Sequence, residues 1–494
     1  MSFFILGIVF FLLWRVCIIA HRVWFHPLST VPGPFLGRIS SLYRTYWFLH
    51  GDEQANQARL HEKYGPLVRY SPNGVITNDP TLIPTIYHMK ADKTNFNAAN
   101  FGSMSTFTML NHKDHVASKK RIGHAYSMKR MRAFESEIDL RLKELVGVLT
   151  KTAMKGVTID SLYHLHWFNF DVVTQLCFGR PLGFLTQERD VHGLIQKFQE
   201  TLWLGEFLAV QENVSWYIRN TRVGRYLFMV RPTDSWGIGA VMGVRDRLIG
   251  AIVGPDRELK MDLVEGSLLE IFLSARDEDG SAMSMSDVKA EILTAMQAGS
   301  ETTSLNVALA VFHIARNPDV KHRLQNELDH AEQTGKIPPR TAMISYDQAL
   351  ELPFLTACIR ESLRYTPSVA QIPRKAPPDT GLNLHGRHIP PGTSVSTSAW
   401  IVGRDTNLYG EDSNTFRPAR WLEASEDKLR KMDKFDFVFG YGARRCLGRH
   451  VASIQLWKSI AEVFRRFDVE LADCQNIHGN GVPCDWGAAF HIRD

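Results

Sequence analysis

A mainly α-helical fold with small β-sheets (α+β), forming one large domain behind a single membrane anchor, is what this 494-residue sequence predicts. Three observations lead there. Five stretches, 139–149, 287–316, 320–332, 353–365 and 449–467, carry apolar residues at steps of three and four, the helical period. Strand-like pieces cluster in two places, 67–77 and 382–396, without the βαβ alternation of a doubly wound sheet. The amino end is one nearly unbroken apolar run.

Composition narrows the class. Hydrophobic residues make up 44% and charged residues 22%, ordinary globular values that exclude a disordered chain or a collagen-like fibre. Lys plus Arg exceeds Asp plus Glu by only five charges, so no global charge case for nucleic acid exists. Length alone, at roughly 150 residues per domain, suggests about three domains. Yet no repeat, low-complexity stretch or second linker divides the body, so the sequence reads as an anchor (1–22), a proline-rich hinge (23–41) and one body (42–494). The six cysteines, Cys17, Cys177, Cys358, Cys446, Cys474 and Cys484, form no CxxC pair and read as reduced thiols facing the cytosol.

Residues 3–20 read FFILGIVFFLLWRVCIIA, with Arg15 the one charge and placed to snorkel. The run falls within the about 17–25 residues of a spanning helix. It lacks the basic start and small-residue cleavage site of a secretory signal, which favours an uncleaved anchor. Trp14 and Trp24 flank it as interface aromatics, and His21, Arg22 and His26 follow, so the body is expected on the cytosolic side. On that side the sequon Asn213-Val214-Ser215 stays unmodified. Three prolines and a glycine within 27–34 cannot be helix and read as a stiff linker.

Within the body, Asn73-Gly74 is a hairpin turn signal and 388–392 (HIPPG) a second turn. Gly237, Gly239 and Gly243 imitate a dinucleotide fingerprint, but a turn, RPTDS, precedes them where a strand is needed.

The chemistry sits at 439–448, FGYGARRCLG. Gly440 and Gly442 permit a tight turn and close approach to a flat ligand. Cys446 precedes the helical stretch starting near Arg449, where the helix dipole, free N–H groups and the neighbouring Arg444 and Arg445 favour a thiolate. Gly448 leaves room for a large planar group, and Phe439 is placed to shield the sulfur. Cys177, Cys358, Cys474 and Cys484 read as small buried hydrophobes.

These ten residues match the haem-binding signature FxxGxRxCxG at every fixed position, and the chain is identified as resembling the cytochrome P-450 superfamily, whose fold is then expected. The resemblance implies haem b (iron protoporphyrin IX) with Cys446 as axial thiolate. Residues 298–303, AGSETT, resemble the family's oxygen-activation motif: Gly299 would open space for a diatomic ligand, Thr302 would turn its hydroxyl from the helix ladder to bind a water, and Glu301 would pass protons. Glu361 and Arg364 match its ExxR pair, with Arg420 as third partner of a buried structural triad. Arg374 is carried over to a haem propionate. The usual WxxxR of the distal-side helix is HxxxK here, giving His115 and Lys119, with a solvated basic face as the bland alternative.

The wording of 373–422 is similar to filamentous-fungal microsomal members. That resemblance implies a monooxygenase in the endoplasmic reticulum membrane, single-pass, acting on an apolar secondary metabolite such as a terpenoid, polyketide or alkaloid. With no flavin or ferredoxin motif present, electrons come from NADPH through an NADPH–cytochrome reductase, with cytochrome b5 as a further candidate donor. Arg445, Arg449, Lys458, Arg465 and Arg466 are candidates for a basic docking face. Substrate contacts carried over by segment are Phe101, Phe107, Trp203, Phe207, Val369 and Ile372. The rival haem reading is a peroxide isomerase or dehydratase working without a reductase; the rival outside enzymology is a haem-free membrane scaffold.

Overall fold

The computed structural model describes residues 2–98, 104–254, 258–277, 279–471 and 487–493. The main helices are α1 (Ser2–Ala20), α2 (His112–Ile122), α3 (Glu135–Lys155), α4 (Ser161–Phe178), α5 (Leu194–Val210), α6 (Gly237–Ile252), α7 (Met285–Arg316), α8 (Pro318–Gln333), α9 (Pro353–Tyr365) and α10 (Arg449–Arg466). The strands are β1 (Leu67–Ser71), β2 (Gly74–Thr77), β3 (Ile159–Asp160), β4 (Arg374–Lys375), β5 (Leu382–Leu384), β6 (Arg387–Ile389), β7 (Ser394–Ser396), β8 (Phe467–Leu471) and β9 (Gly487–Ile492).

Local chemistry sets the boundaries. Ser284 caps α7 by accepting from the Asp287 N–H, and Asp160 caps α4 through Tyr163. Pro318 and Pro353 open α8 and α9, where a missing N–H costs nothing. The helical stretches read from the periodicity all appear, α3 longer at both ends than its apolar pattern.

The first strand cluster shares a sheet with β7 of the second, while β5 and β6 pair as a separate two-stranded sheet. The order of the shared sheet is β1-β2-β7-β4, with β2 parallel to β7 through Gly74↔Ser394 and Ile76↔Ser396. The turn read at 388–392 is present between β6 and β7, with Thr393 N–H donating to Pro390 O at 3.3 Å and Gly392 at φ +75°; the β5–β6 hairpin itself turns earlier, at His385-Gly386, both with positive φ. A further sheet runs β3-β9-β8.

α1 continues through His21–Phe25, and the apolar stretch Phe4–Phe25 has a mean hydropathy of 2.3 with none of it buried by the protein. The proline segment is not a free linker. Leu28 and Val31 are buried in the core, and the Arg69 N–H donates to the Pro32 carbonyl at 2.7 Å. The buried Arg69 guanidinium donates to Arg22 O at 2.9 Å and Pro72 O at 2.7 Å. Packed structure therefore begins well before residue 42. The glycines of the nucleotide-like pattern start α6 and pack closely: a Cβ on Gly239 would lie 2.6 Å from the Arg231 carbonyl oxygen and one on Gly243 2.5 Å from that of Pro232.

α7 runs through the middle of the body, its carboxyl half almost wholly buried. α4, buried nearly throughout, packs along it, with α9 and α10 on other faces.

Candidate functional site

The loop ahead of α10 is folded by its own backbone. Cys446 N donates to Phe439 O at 2.9 Å, and Gly440 N to Phe437 O at 2.9 Å. Gly442 is required: its φ is +68°, and a Cβ there would lie 2.4 Å from the Tyr87 carbonyl oxygen. The N–H groups of Gly448 and Arg449, at the start of α10, donate toward the Cys446 sulfur and pull its pKa down, as do the Arg449 and Arg445 charges. Burial outweighs them and pushes the thiol up. The dipole and arginines named by the sequence thus act in the expected direction without prevailing; a bound cation would supply the rest. Cys446 keeps an exposed face, and a Cβ on Gly448 would sit at an ordinary 4.0 Å from its sulfur. Cys177 and Cys358 are buried with thiols pushed up, Cys17 is exposed on α1, and Cys474 and Cys484 lie outside the described residues.

Beside this loop four cations converge on one imidazole. Burial, then Arg444, Lys93, Lys119 and Arg374, hold the buried His115 down at about 3, so it is neutral. A backbone bridge between Lys93 and Arg374 sets those two side by side. Burial lowers Arg374 and Arg444 to about 10, and lowers Lys93 well below the usual ammonium range. Their donors end on backbone carbonyls: Arg444 on Met109 and Leu110, both 2.7 Å; Arg374 on Ile372 and Pro373, both 3.2 Å; Lys93 on Phe107; Lys119 on Ala443 at 2.6 Å. Among the described residues no carboxylate forms an ion pair with any of the four, and His115 Nδ1 has no partner. Burying this much positive charge is costly unless an anion joins it.

On α7 the ladder is continuous through Thr302, whose hydroxyl donates to Ala298 O at 2.7 Å; Ser300 and Ser304 back-bond the same way. The expected turning-out of Thr302 is therefore not its resting state. Gly299 also differs from expectation. A Cβ there would lie 2.8 Å from Val173 Cγ2, so this glycine serves the close crossing of α4 and α7 rather than an open ligand space. Glu301 faces that crossing, with Oε2 3.2 Å from Nε2 of the buried His166.

Glu361 and Arg364 form a buried bidentate pair at 2.7 and 2.8 Å. Arg420 donates to Glu361 at 2.9 Å, the Trp421 indole at 3.0 Å and the Arg417 N–H at 2.8 Å, so the carboxylate is fully satisfied. Arg364 also donates to the carbonyls of Gly403, Ser413 and Thr415, fastening α9 to the segment that leads into the Cys446 loop.

The cytochrome P-450 family model matches residues 27–480. The chain belongs to the cytochrome P-450 family. It is 38% identical over 445 residues to cytochrome P-450 monooxygenase ustC of Aspergillus flavus, covering 90% of this chain and 79% of that protein. It is 30% identical to cytochrome P-450 monooxygenase gsfF of Penicillium aethiopicum (91% and 89% covered), and 28% identical to quiannulatic acid synthase of Emericella variicolor (85% and 83% covered).

The family implies a haem-thiolate centre, and the donor set fits one. A thiol with an open face and two N–H donors stands beside a cluster of cations that form no ion pair among the described residues, although the Asp92 charge reaches Arg444; the set is suited to the two propionates of a porphyrin. In this cytochrome P-450, Arg374, Arg444, His115 and Lys119 come together there. Lys93, which sequence reasoning missed, joins them; nothing local marks it, because its place depends on pairing with Arg374 nearly three hundred residues away.

The docking face shrinks. Lys458 is fully buried between Glu135 at 2.5 Å and Asp139 at 2.6 Å, and the buried Arg465 pairs with Glu462 at 3.0 Å. Arg466 is half-buried on the same Glu462. Apolar neighbours on α10 carry these cations inward, leaving Arg445 exposed and Arg449 half-buried. Of the substrate candidates, Phe107 lies under the Lys93 ammonium at 4.0 Å. Trp203 and Val369 are exposed, and Phe207 and Ile372 are half-buried. Phe101 lies outside the described residues.

Proposed function

We propose that this cytochrome P-450 is a membrane-anchored monooxygenase that inserts one atom of O2 into an apolar small molecule, a fungal secondary metabolite such as a terpenoid, polyketide or alkaloid. Its electrons come from NADPH through a separate reductase, with cytochrome b5 as a further candidate donor. The observation that carries the reading is the Cys446 sulfur, held by two backbone N–H groups beside a cation cluster whose donors end on backbone carbonyls.

Haem, when bound, supplies oxygen binding and activation, and a thiolate ligand favours O–O cleavage. Cys446 is the ligand, and Phe439 shields its sulfur. Arg374, Arg444, Lys119, His115 and Lys93 hold the propionates, the guanidinium forks giving orientation and the ammonium groups charge. His115 stays neutral and donates or accepts as its tautomer requires. Thr302 exchanges its bond to Ala298 O for a water, and Glu301 delivers protons to that side of α7. Glu361, Arg364 and Arg420 act only by holding the loop. Arg445 and Arg449 remain as the basic contact for an acidic reductase face. The apolar stretch Phe4–Phe25 supports a membrane anchor, which on this reading lies in the endoplasmic reticulum membrane with the body on the cytosolic side.

The test is the spectrum of the reduced protein with carbon monoxide, followed by oxygen uptake. A thiolate-type band that is lost in Cys446→His, with uptake requiring both NADPH and reductase, supports the reading. A band that survives Cys446→His removes Cys446 as ligand, and turnover from a hydroperoxide alone replaces monooxygenation by peroxide rearrangement.

A further inference from the structure

The proposed proton path ends at Glu301, and the structure gives that carboxylate a partner that no motif names. His166 on α4 is buried, and its Nε2 lies 3.2 Å from Glu301 Oε2. The approach is built into the fold. Gly299 lets α4 and α7 close to where a single Cβ would collide with Val173, and His166 stands two turns back along α4 from that contact. The remaining polar atoms of the pair are singular. Glu301 Oε1 and His166 Nδ1 are both buried and neither has a hydrogen-bond partner among the described residues. A carboxylate with one oxygen 3.2 Å from an imidazole and the other desolvated and unsatisfied is not a settled structural ion pair such as Glu361, whose oxygens are all engaged. It is a group held ready for another partner.

We propose that His166 is the positioning residue for Glu301: its imidazole holds one carboxylate oxygen against α4 and thereby fixes the orientation from which the other oxygen serves the Thr302 side of α7. The inference rests on the monooxygenase reading. Because His166 acts through Glu301, its effect passes through that side chain and vanishes when the carboxylate is gone. Loss of the imidazole slows the proton-requiring part of oxygen reduction without touching haem binding or reductase affinity.

Oxygen uptake by the full-length holoenzyme in liposomes, with NADPH and a fungal NADPH–cytochrome reductase and no added substrate, reads this directly. His166→Ala and Glu301→Gln are each expected to lower the maximal rate about tenfold, below the roughly 10²–10⁴-fold that a positioned acid can supply. The half-saturating reductase concentration should stay constant, the double variant should be no slower than Glu301→Gln alone, and His166→Gln should recover much of the rate. Each variant must keep the thiolate-type carbon monoxide band. A double variant whose losses multiply, or a His166→Ala rate equal to wild type, overturns the inference while leaving the monooxygenase reading intact. Wild-type protein with the right band but no reductase-dependent uptake overturns both. A double-mutant cycle on thermal unfolding reads the contact without turnover: non-additive changes are expected, and strict additivity overturns the contact itself.

Discussion

The ammonium of Lys119 donates to the carbonyl of Ala443 at 2.6 Å, tying α2 to the loop three residues ahead of Cys446. The half-buried lysine is thus a strut for the thiolate loop as well as a charge near the propionates. A hydrogen bond from a charged donor contributes roughly 1.5–3 kcal/mol. Lys119→Met is expected to release haem about tenfold faster, read as transfer to apomyoglobin, while Lys119→Arg stays within about threefold of wild type. Equal release from Lys119→Met and wild type would make the strut irrelevant.

The buried Glu361 carries five hydrogen bonds from Arg364, Arg420, Trp421 and the Arg417 backbone. Removing its charge leaves the buried Arg364 without a carboxylate and Arg420 with Asp412 alone, at 2.8 Å, at a cost on the order of 3–5 kcal/mol. Glu361→Gln should therefore yield little or no protein with a thiolate-type carbon monoxide band. Arg364→Lys should fail nearly as badly, because an ammonium cannot reproduce the bidentate pair and the three carbonyl contacts. Normal haem content in Arg364→Lys would show that charge alone suffices.

How far sequence carried this site depends on how local each contact is. The Cys446 loop, the i,i+3 pair Glu361–Arg364 and the capped long helices are specified by neighbours in the chain. The β2–β7 pairing, the Lys93–Arg374 bridge and the His166–Glu301 contact join segments far apart, and no periodicity or turn signal marks them. Lys458 and Arg465 fail for the opposite reason. Their type says surface, and only the carboxylates brought by α3 and by Glu462 on α10 itself make burial possible.

Reductase docking separates these classes of cation. Arg445→Glu is expected to slow first-electron reduction about three- to tenfold at low ionic strength, with the difference shrinking as salt screens it. Lys458→Met instead leaves Glu135 and Asp139 facing each other without their cation, at a cost of about 3 kcal/mol. Its signature is a lower unfolding temperature with an unchanged salt dependence of reduction. A salt-dependent reduction defect in Lys458→Met would return that lysine to the surface.

Truncation distinguishes the anchor from the proline segment. Removing residues 2–21 takes away most of the exposed apolar helix but keeps the Arg22 carbonyl that accepts from Arg69, and is expected to move the protein from the membrane pellet to the soluble fraction with its carbon monoxide band retained. Removing residues 2–34 also strips the buried Leu28 and Val31, each contributing about 1.5–3 kcal/mol, and the Pro32 carbonyl that accepts from Arg69. The longer deletion should unfold at markedly lower temperature or fail to accumulate. Equal stability of the two truncations would mean that the segment is only a linker and adds nothing to the packed body.

Acid stability has a residue of its own, away from the thiolate loop. His313 on α7 is buried, its Nε2 2.8 Å from Thr366 Oγ1 and its ring stacked on Phe416. Burial first, then the charges of Arg316, Arg404 and Arg364, depress its pKa from 6.5 to about 3. The unfolded chain therefore takes up this proton before the folded one does. The contribution to stability is full above pH 6.5 and is lost as the pH falls from 6.5 toward 3, by about 2 kcal/mol at pH 5. His313→Gln, which keeps a donor for Thr366, removes that titration. Wild type should be the more stable near pH 7.5, and its advantage in urea unfolding should narrow steadily below pH 6.5 and reverse in stronger acid. A stability difference that stays constant from pH 7.5 to pH 4.5 would show that the imidazole titrates alike in the folded and unfolded chains.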